Sequence, residues 1–221
     1  MTPRAHFDEQ LEQLDREVLK MGSLVERALK SAATVFSGKD RYKARRVIKE
    51  DTQVNRKERD IESLCFKLLL QQQPVARDLR VISSVLKMIT DLERIGDQAA
   101  DICRIALDAK QPWPIERLGH LPELADAAIS MVHGTLDSFV ERNVELTHEV
   151  MQEDNEVDRL YAITRRELIE LIRGSDEKIS EIALDWIIIA KYLERIGDHA
   201  QNFAEWVEYS LTGVLKGEVL G

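Results

Sequence analysis

Only two of the 221 residues are cysteine, Cys65 and Cys103, and neither sits in a CxxC pair. Neither a disulfide framework nor a cysteine-based metal site follows from them, and a reducing, cytoplasmic setting with both thiols in the core is expected. Proline and glycine are scarce and aromatic side chains amount to 5% of the chain, while charged residues reach 32%. That is the composition of long, water-exposed helices. No apolar run approaches the roughly 18 residues needed to cross a membrane, so insertion is not expected. The stretch Met1 to Gln10 has no apolar segment after its single arginine, which argues against a signal peptide. Phosphate-cradling glycine loops and nucleophile elbows are missing, so catalysis has no visible machinery. With 40 acidic against 31 basic side chains the net charge is -9, which opposes approach to a nucleic acid backbone.

What the chain does have is a duplicated hexapeptide. Leu-Glu-Arg-Ile-Gly-Asp runs from Leu92 to Asp97 and again from Leu193 to Asp198, 101 residues apart. Phe36 and Phe139 each precede an aspartate, Asp51 and Asp154, by 15 residues, which gives a matching offset of 103 for the middle helices. Two copies of one unit are therefore expected, residues 5–110 and 123–213, joined by a linker over 111–122 that carries three prolines.

Apolar residues at steps of three and four predict six helices. The first runs from Phe7 to Phe36 and stops at Gly38; the second, capped by Asp40, reaches about Gln72; the third covers Val75 to Ala109, with Leu79, Ile82, Val85, Leu86, Ile89, Leu92 and Ile95 as its stripe. The second copy repeats this order, with Gly174 ending the fifth helix, Ser175 supplying the capping oxygen of the sixth, and the sixth reaching about Thr212. Short connections make each copy an antiparallel three-helix bundle, so the fold class is all-α, two tandem bundles related by an internal pseudo-twofold axis.

The carboxylates lie at helical spacing. Glu93 and Asp97 share one face of the third helix and Asp101 extends that row; Glu194 and Asp198 do the same on the sixth. Asp51 with Asn55, and Asp154 with Asp158, form matching rows on the middle helices. Like charges at this spacing repel by roughly 0.2–0.5 kcal/mol per pair, and a cation would relieve the strain of facing two such rows. Oxygen donors of this kind suit divalent or iron-type metal ions. The plainer reading is solvated acidic faces neutralised by Arg94 and Arg195. Gly96 and Gly197, beside the aspartates, predict a close approach of neighbouring helices. Di-iron bundles need two Glu-x-x-His motifs and this chain has one, Glu145 with His148, which reads as incidental. His199 is expected at a surface or interface.

The segment Gln73-Pro74-Val75-Ala76-Arg77-Asp78-Leu79-Arg80, leading into Asp91-Leu92-Glu93-Arg94-Ile95-Gly96-Asp97, resembles the PhoU family of phosphate-response regulators. Leu193 to Glu205 resembles it equally. The resemblance covers residues 7–211 and implies a cytoplasmic negative regulator of the phosphate-starvation response that modulates high-affinity phosphate uptake. It implies contacts with the importer ATPase subunit and a sensor histidine kinase, and a homodimer. It also implies metal clusters at E/D-x-x-x-D motifs, which fall on Asp51 to Asn55, Glu93 to Asp97, Asp154 to Asp158 and Glu194 to Asp198. Asn55 departs from that pattern and weakens the first site unless Asp101 compensates; Asn202 occupies the position of Asp101 in the second copy. Two other readings stand beside regulation: a metal-dependent enzyme or metal store, and a purely structural scaffold.

Overall fold

The computed structural model describes residues 3–38, 40–71, 74–109, 114, 117–216 and 218–219. Five of the twelve expected linker residues, 111–113, 115 and 116, lie outside the described residues, as do Gln72 and Gln73. Six helices follow the apolar periodicity: α1 Pro3–Gly38, α2 Arg41–Gln71, α3 Ala76–Asp108, α4 Leu121–Glu141, α5 Val144–Arg173 and α6 Glu177–Thr212. A two-stranded antiparallel ladder, β1 Val214–Leu215 with β2 Glu218–Val219, closes back on α6.

Helices α1, α2 and α3 pack mutually, as do α4, α5 and α6. The copies meet through α3 against α6 and α1 against α4, leaving α2 and α5 on the outer flanks. One contiguous apolar core results, running from Leu14, Val18, Met21 and Val25 on α1 through Ile82, Ile89 and Leu92 on α3 to Trp186, Leu193 and Phe203 on α6. Because α3 and α6 are buried by both copies, more of their circumference is apolar than an amphipathic surface helix requires.

Local chemistry sets the helix ends. Asp40 Oδ1 accepts hydrogen bonds from the backbone N–H groups of Tyr42 and Lys43 at 3.1 and 3.0 Å, holding the start of α2. Replacing Asp40 with Ala is expected to cost about 1 kcal/mol, read as a lower urea midpoint. At α6 the cap is Asp176, whose Oδ1 accepts from Ile179 N at 3.0 Å, and not Ser175 as the sequence predicts. Both residues carry a capping oxygen, and the side chain three positions before the receiving amide takes the role. Helix α4 begins at Leu121, so Pro122 sits in its first turn, where a missing N–H costs nothing. Leu79 also departs from expectation: it is 49% exposed, and after the buried Asp78 the buried apolar stripe of α3 starts at Ile82. Cys65 and Cys103 are buried free thiols, both pushed up to about 12 chiefly by burial. A thiol reagent at pH 8 is expected to leave both unmodified in the native protein and to titrate two on denaturation.

Candidate functional site

The duplicated glycines decide how near the acidic rows come. A β-carbon at Gly96 would lie 3.1 Å from Val54 Cγ1, and one at Gly197 would lie 3.0 Å from Val157 Cγ1 and 3.4 Å from Asp154 Oδ1. The missing side chain lets α3 close on α2 and α6 close on α5 at the level of the carboxylates. The roughly 1 kcal/mol that a helical glycine forfeits is offset by that packing.

In the first copy Asp51 and Asn55 on α2 face Glu93, Asp97 and Asp101 on α3. The Asp51 carboxyl is raised above its usual range by burial, then by Asp97, while Arg104 partly restores it. Glu93 is likewise raised by burial and then Asp97, with Glu58 and Asp51 adding to it. Two arginines neutralise the group: Arg94 lies 3.4 Å from both Glu93 and Asp97, and Arg104 lies 3.8 Å from Asp51 and hydrogen-bonds Asp101. Asp101 is therefore held by its own helix and by Tyr192 across the α3–α6 interface. Asp51 Oδ1 and Asn55 Oδ1 are buried without a hydrogen-bond partner.

In the second copy fewer of the carboxylates are paired. Asp154 is pushed up to about 6, first by burial and then by Asp158, Asp198, Glu194 and Glu205. The smallest of these contributions comes from Glu205, two turns beyond Asp198, which stands where the first copy has Arg104, so a neutralising cation is exchanged for another anion. Lys191 donates to Glu194 at 2.6 Å and Lys216 from the terminal ladder reaches Glu205 at 3.2 Å, whereas Asp154, Asp158 and Asp198 have no ion pair among the described residues.

Sequence reasoning did not find Glu58, Arg104, Lys191 or Glu205. Glu58 was within reach of it, being three residues beyond Asn55 on the same face. Arg195, expected as a counter-ion, makes no ion pair among the described residues, and Lys191 takes that part. His148 pairs with Glu208 at 3.0 Å, away from the carboxylates, in keeping with an incidental motif. His199 Nδ1 meets Asp91 at 2.9 Å, tying α6 to α3 at the interface between the copies. Chemically the two clusters are hard-oxygen sets. As the side chains stand, no three His, Cys, Asp or Glu residues among the described residues converge as metal ligands. The orphaned oxygens of Asp51 and Asn55 are nonetheless donors of the chemistry a hard cation takes.

The PhoU domain model matches residues 18–106 and 121–207, once for each bundle. The chain belongs to the PhoU family. It is 35% identical over 209 residues to the phosphate-specific transport system accessory protein PhoU of Escherichia coli (strain K12), covering 94% of this chain and 86% of that protein. It is 33% identical over 211 residues to the PhoU homolog of Clostridium acetobutylicum, covering 95% and 96%. The crystal structure of PhoU from Pseudomonas aeruginosa superposes with a TM-score of 0.87 at 35% identity, over 94% of this chain and 100% of that one. The phosphate transport system regulatory protein PhoU from Streptococcus pneumoniae gives 0.86 at 27% identity, over 97% and 99%. This PhoU chain thus keeps the two-bundle fold throughout, and its acidic rows lie inside both matched segments.

Proposed function

We propose that this PhoU chain is a cytoplasmic regulator of phosphate transport that restrains the phosphate-starvation response by contact and not by turnover. The observation that carries the reading is its near full-length similarity to accessory proteins of phosphate-specific transport. Its partners are the ATPase subunit of the phosphate importer and a sensor histidine kinase, and it works as a homodimer. No helix of the described residues is long and apolar enough to cross a membrane, so contact with a membrane complex goes through the surface.

One surface supports a contact mechanism. Phe66, Leu70, Val75 and Leu79, on the two sides of the α2–α3 connection, are between 49% and 86% exposed. The matching positions of the second copy are Ile169, Arg173, Asp176 and Ser180. At three of these four places the second copy is polar, so the fold does not require an apolar residue there, and exposed large apolar groups mark interaction faces. Affinity isolation of the tagged chain from phosphate-replete and phosphate-starved cells tests the reading. Recovery of the importer ATPase or a sensor kinase in a phosphate-dependent manner is expected, and recovery of neither in both conditions would remove its main support.

A second reading, a carboxylate metal site, is favoured by the orphaned oxygens of Asp51 and Asn55. Asp51, Asn55, Glu93 and Asp97, with Asp101 after release from Arg104, would hold one ion; Asp154, Asp158, Glu194 and Asp198 would hold another. Bound there, a divalent or iron-type ion would supply charge neutralisation between paired helices. Metal content after purification without chelator, compared with an Asp97→Asn/Asp198→Asn variant, tests it. Equal content in both sinks it.

A further inference from the structure

Against the acidic excess of the chain, a basic cleft lies outside the acidic rows. Arg27 and Lys30 on α1 and Lys43 and Arg46 on α2 line a depression of about 250 Å³, completed by Ser31 and Glu50. All four cations are exposed. Their existing partners are Glu26 for Lys30 at 2.6 Å, Glu50 for Arg46 at 2.8 Å and Asp40 for Lys43 at a looser 3.8 Å. Arg27 enters no ion pair among the described residues. The start of α2 is already occupied by Asp40, so the side chains and not the helix terminus supply the positive potential.

The duplication provides an internal comparison. At the equivalent places the second copy has Ser130, His133, Leu146 and Glu149. The same helix pair packs there without a basic cleft, so the four cations are not demanded by the fold. Clustering them between two helices raises the local potential against the sign of the whole molecule. Two guanidinium groups beside two ammonium groups match an anion with several phosphate oxygens, since arginine grips such oxygens two at a time and lysine adds point charge. The volume exceeds what a single orthophosphate fills.

We propose that this α1–α2 cleft binds a multiply charged phosphate anion, either a soluble compound with linked phosphates or the phosphate headgroup of an anionic lipid. Binding exchanges the Arg46–Glu50 pair for contacts to phosphate oxygen and uses Arg27, which has no partner to give up. The site is independent of the acidic rows and of the exposed apolar face at the α2–α3 connection.

Titration calorimetry of the full chain with inorganic tripolyphosphate at about 0.15 M salt, where long-range attraction is screened, is the first arm. Flotation with cardiolipin–phosphatidylcholine vesicles, whose anionic headgroup carries two phosphates, against phosphatidylcholine alone, is the second. Saturable binding in at least one arm is expected, weakened at least about tenfold in Arg27→Gln/Arg46→Gln. Arg165→Gln/Arg166→Gln, which removes the same charge from exposed positions on α5, serves as the control and should leave binding unchanged. Binding of tripolyphosphate alone assigns a soluble compound; binding of the anionic vesicles assigns a headgroup. The proposal is overturned if neither probe binds, if Arg27→Gln/Arg46→Gln binds as the native chain does, or if the control weakens binding equally.

Discussion

Replacing Phe203 with Ala is expected to cost about 3–5 kcal/mol, the largest effect of any single change considered for this protein. Phe203 on α6 is fully buried and meets Phe139 of α4 edge to face, with ring centres 6.0 Å apart and planes at 79°. The truncation removes apolar burial and leaves a void between two helices whose backbones are already fixed by neighbours. Thr135 donates to the Ala200 carbonyl at 3.1 Å one turn away, so α4 cannot easily slide to fill the gap. The urea midpoint should fall sharply with little change in slope. A loss below about 1 kcal/mol would mean that the α4–α6 packing described here is wrong.

Replacing Asp154 with Asn should do the opposite and stabilise the chelator-treated protein at pH 7.5 by about 1–2 kcal/mol. The rise from 3.8 to about 6 sets an upper bound of about 3 kcal/mol, and solvent around this half-exposed group reduces it. The sign follows from which state ionises first. Below pH 3.8 the carboxyl is protonated in both folded and unfolded chains, and its contribution to stability is fully present. Between pH 3.8 and about 6 the unfolded chain ionises first and stability is lost; above about 6 the penalty is constant. Thermal unfolding of both proteins from pH 3.5 to 8 should show equal melting temperatures at the acid end and a higher one for Asp154→Asn above pH 6.5. A lower melting temperature for Asp154→Asn at pH 7.5 would contradict the picture of an uncompensated carboxylate cluster. Adding a divalent cation that binds there would raise the native protein and not the variant.

The helices were legible because amphipathic stripes repeat the same spacing for about six to ten turns, and the duplication allowed each copy to check the other. Legibility failed where a choice was local or non-periodic. Asp176 and Ser175 both offer a capping oxygen, and only the backbone placement of Ile179 N decides between them. Leu79 keeps the α3 spacing yet is exposed while its neighbour Asp78 is buried, so it lies beside the covered face and not on it; periodicity assigned it to the core and geometry does not. The acidic rows were read correctly as rows, since four-residue spacing fixes a helix face. Their neutralisation by Arg104 and Lys191 was missed, although Lys191 with Glu194 and Arg104 with Asp101 are three-residue pairs within one helix; only the reach of Arg104 to Asp51 depends on how α3 lies against α2. The contrast between Arg104 and Glu205 was present in the sequence as a matched pair of opposite sign. It acquired meaning only once both were seen beside the carboxylates.

These differences make the two copies unequal despite their shared fold. The first carries the neutralised acidic row, the exposed apolar junction and the basic cleft; the second carries the strained row. A regulator built from a duplicated unit gains distinct surfaces this way without altering its core, because surface residues at matched positions diverge freely while buried ones are held by packing.

The function proposed for this chain is restraint of the phosphate-starvation response. The most direct test is the output of a phosphate-starvation promoter in phosphate-replete cells of the source organism, with the gene intact, deleted and restored. High output on deletion and a return to low output on restoration are expected. Equal output in all three strains would contradict it.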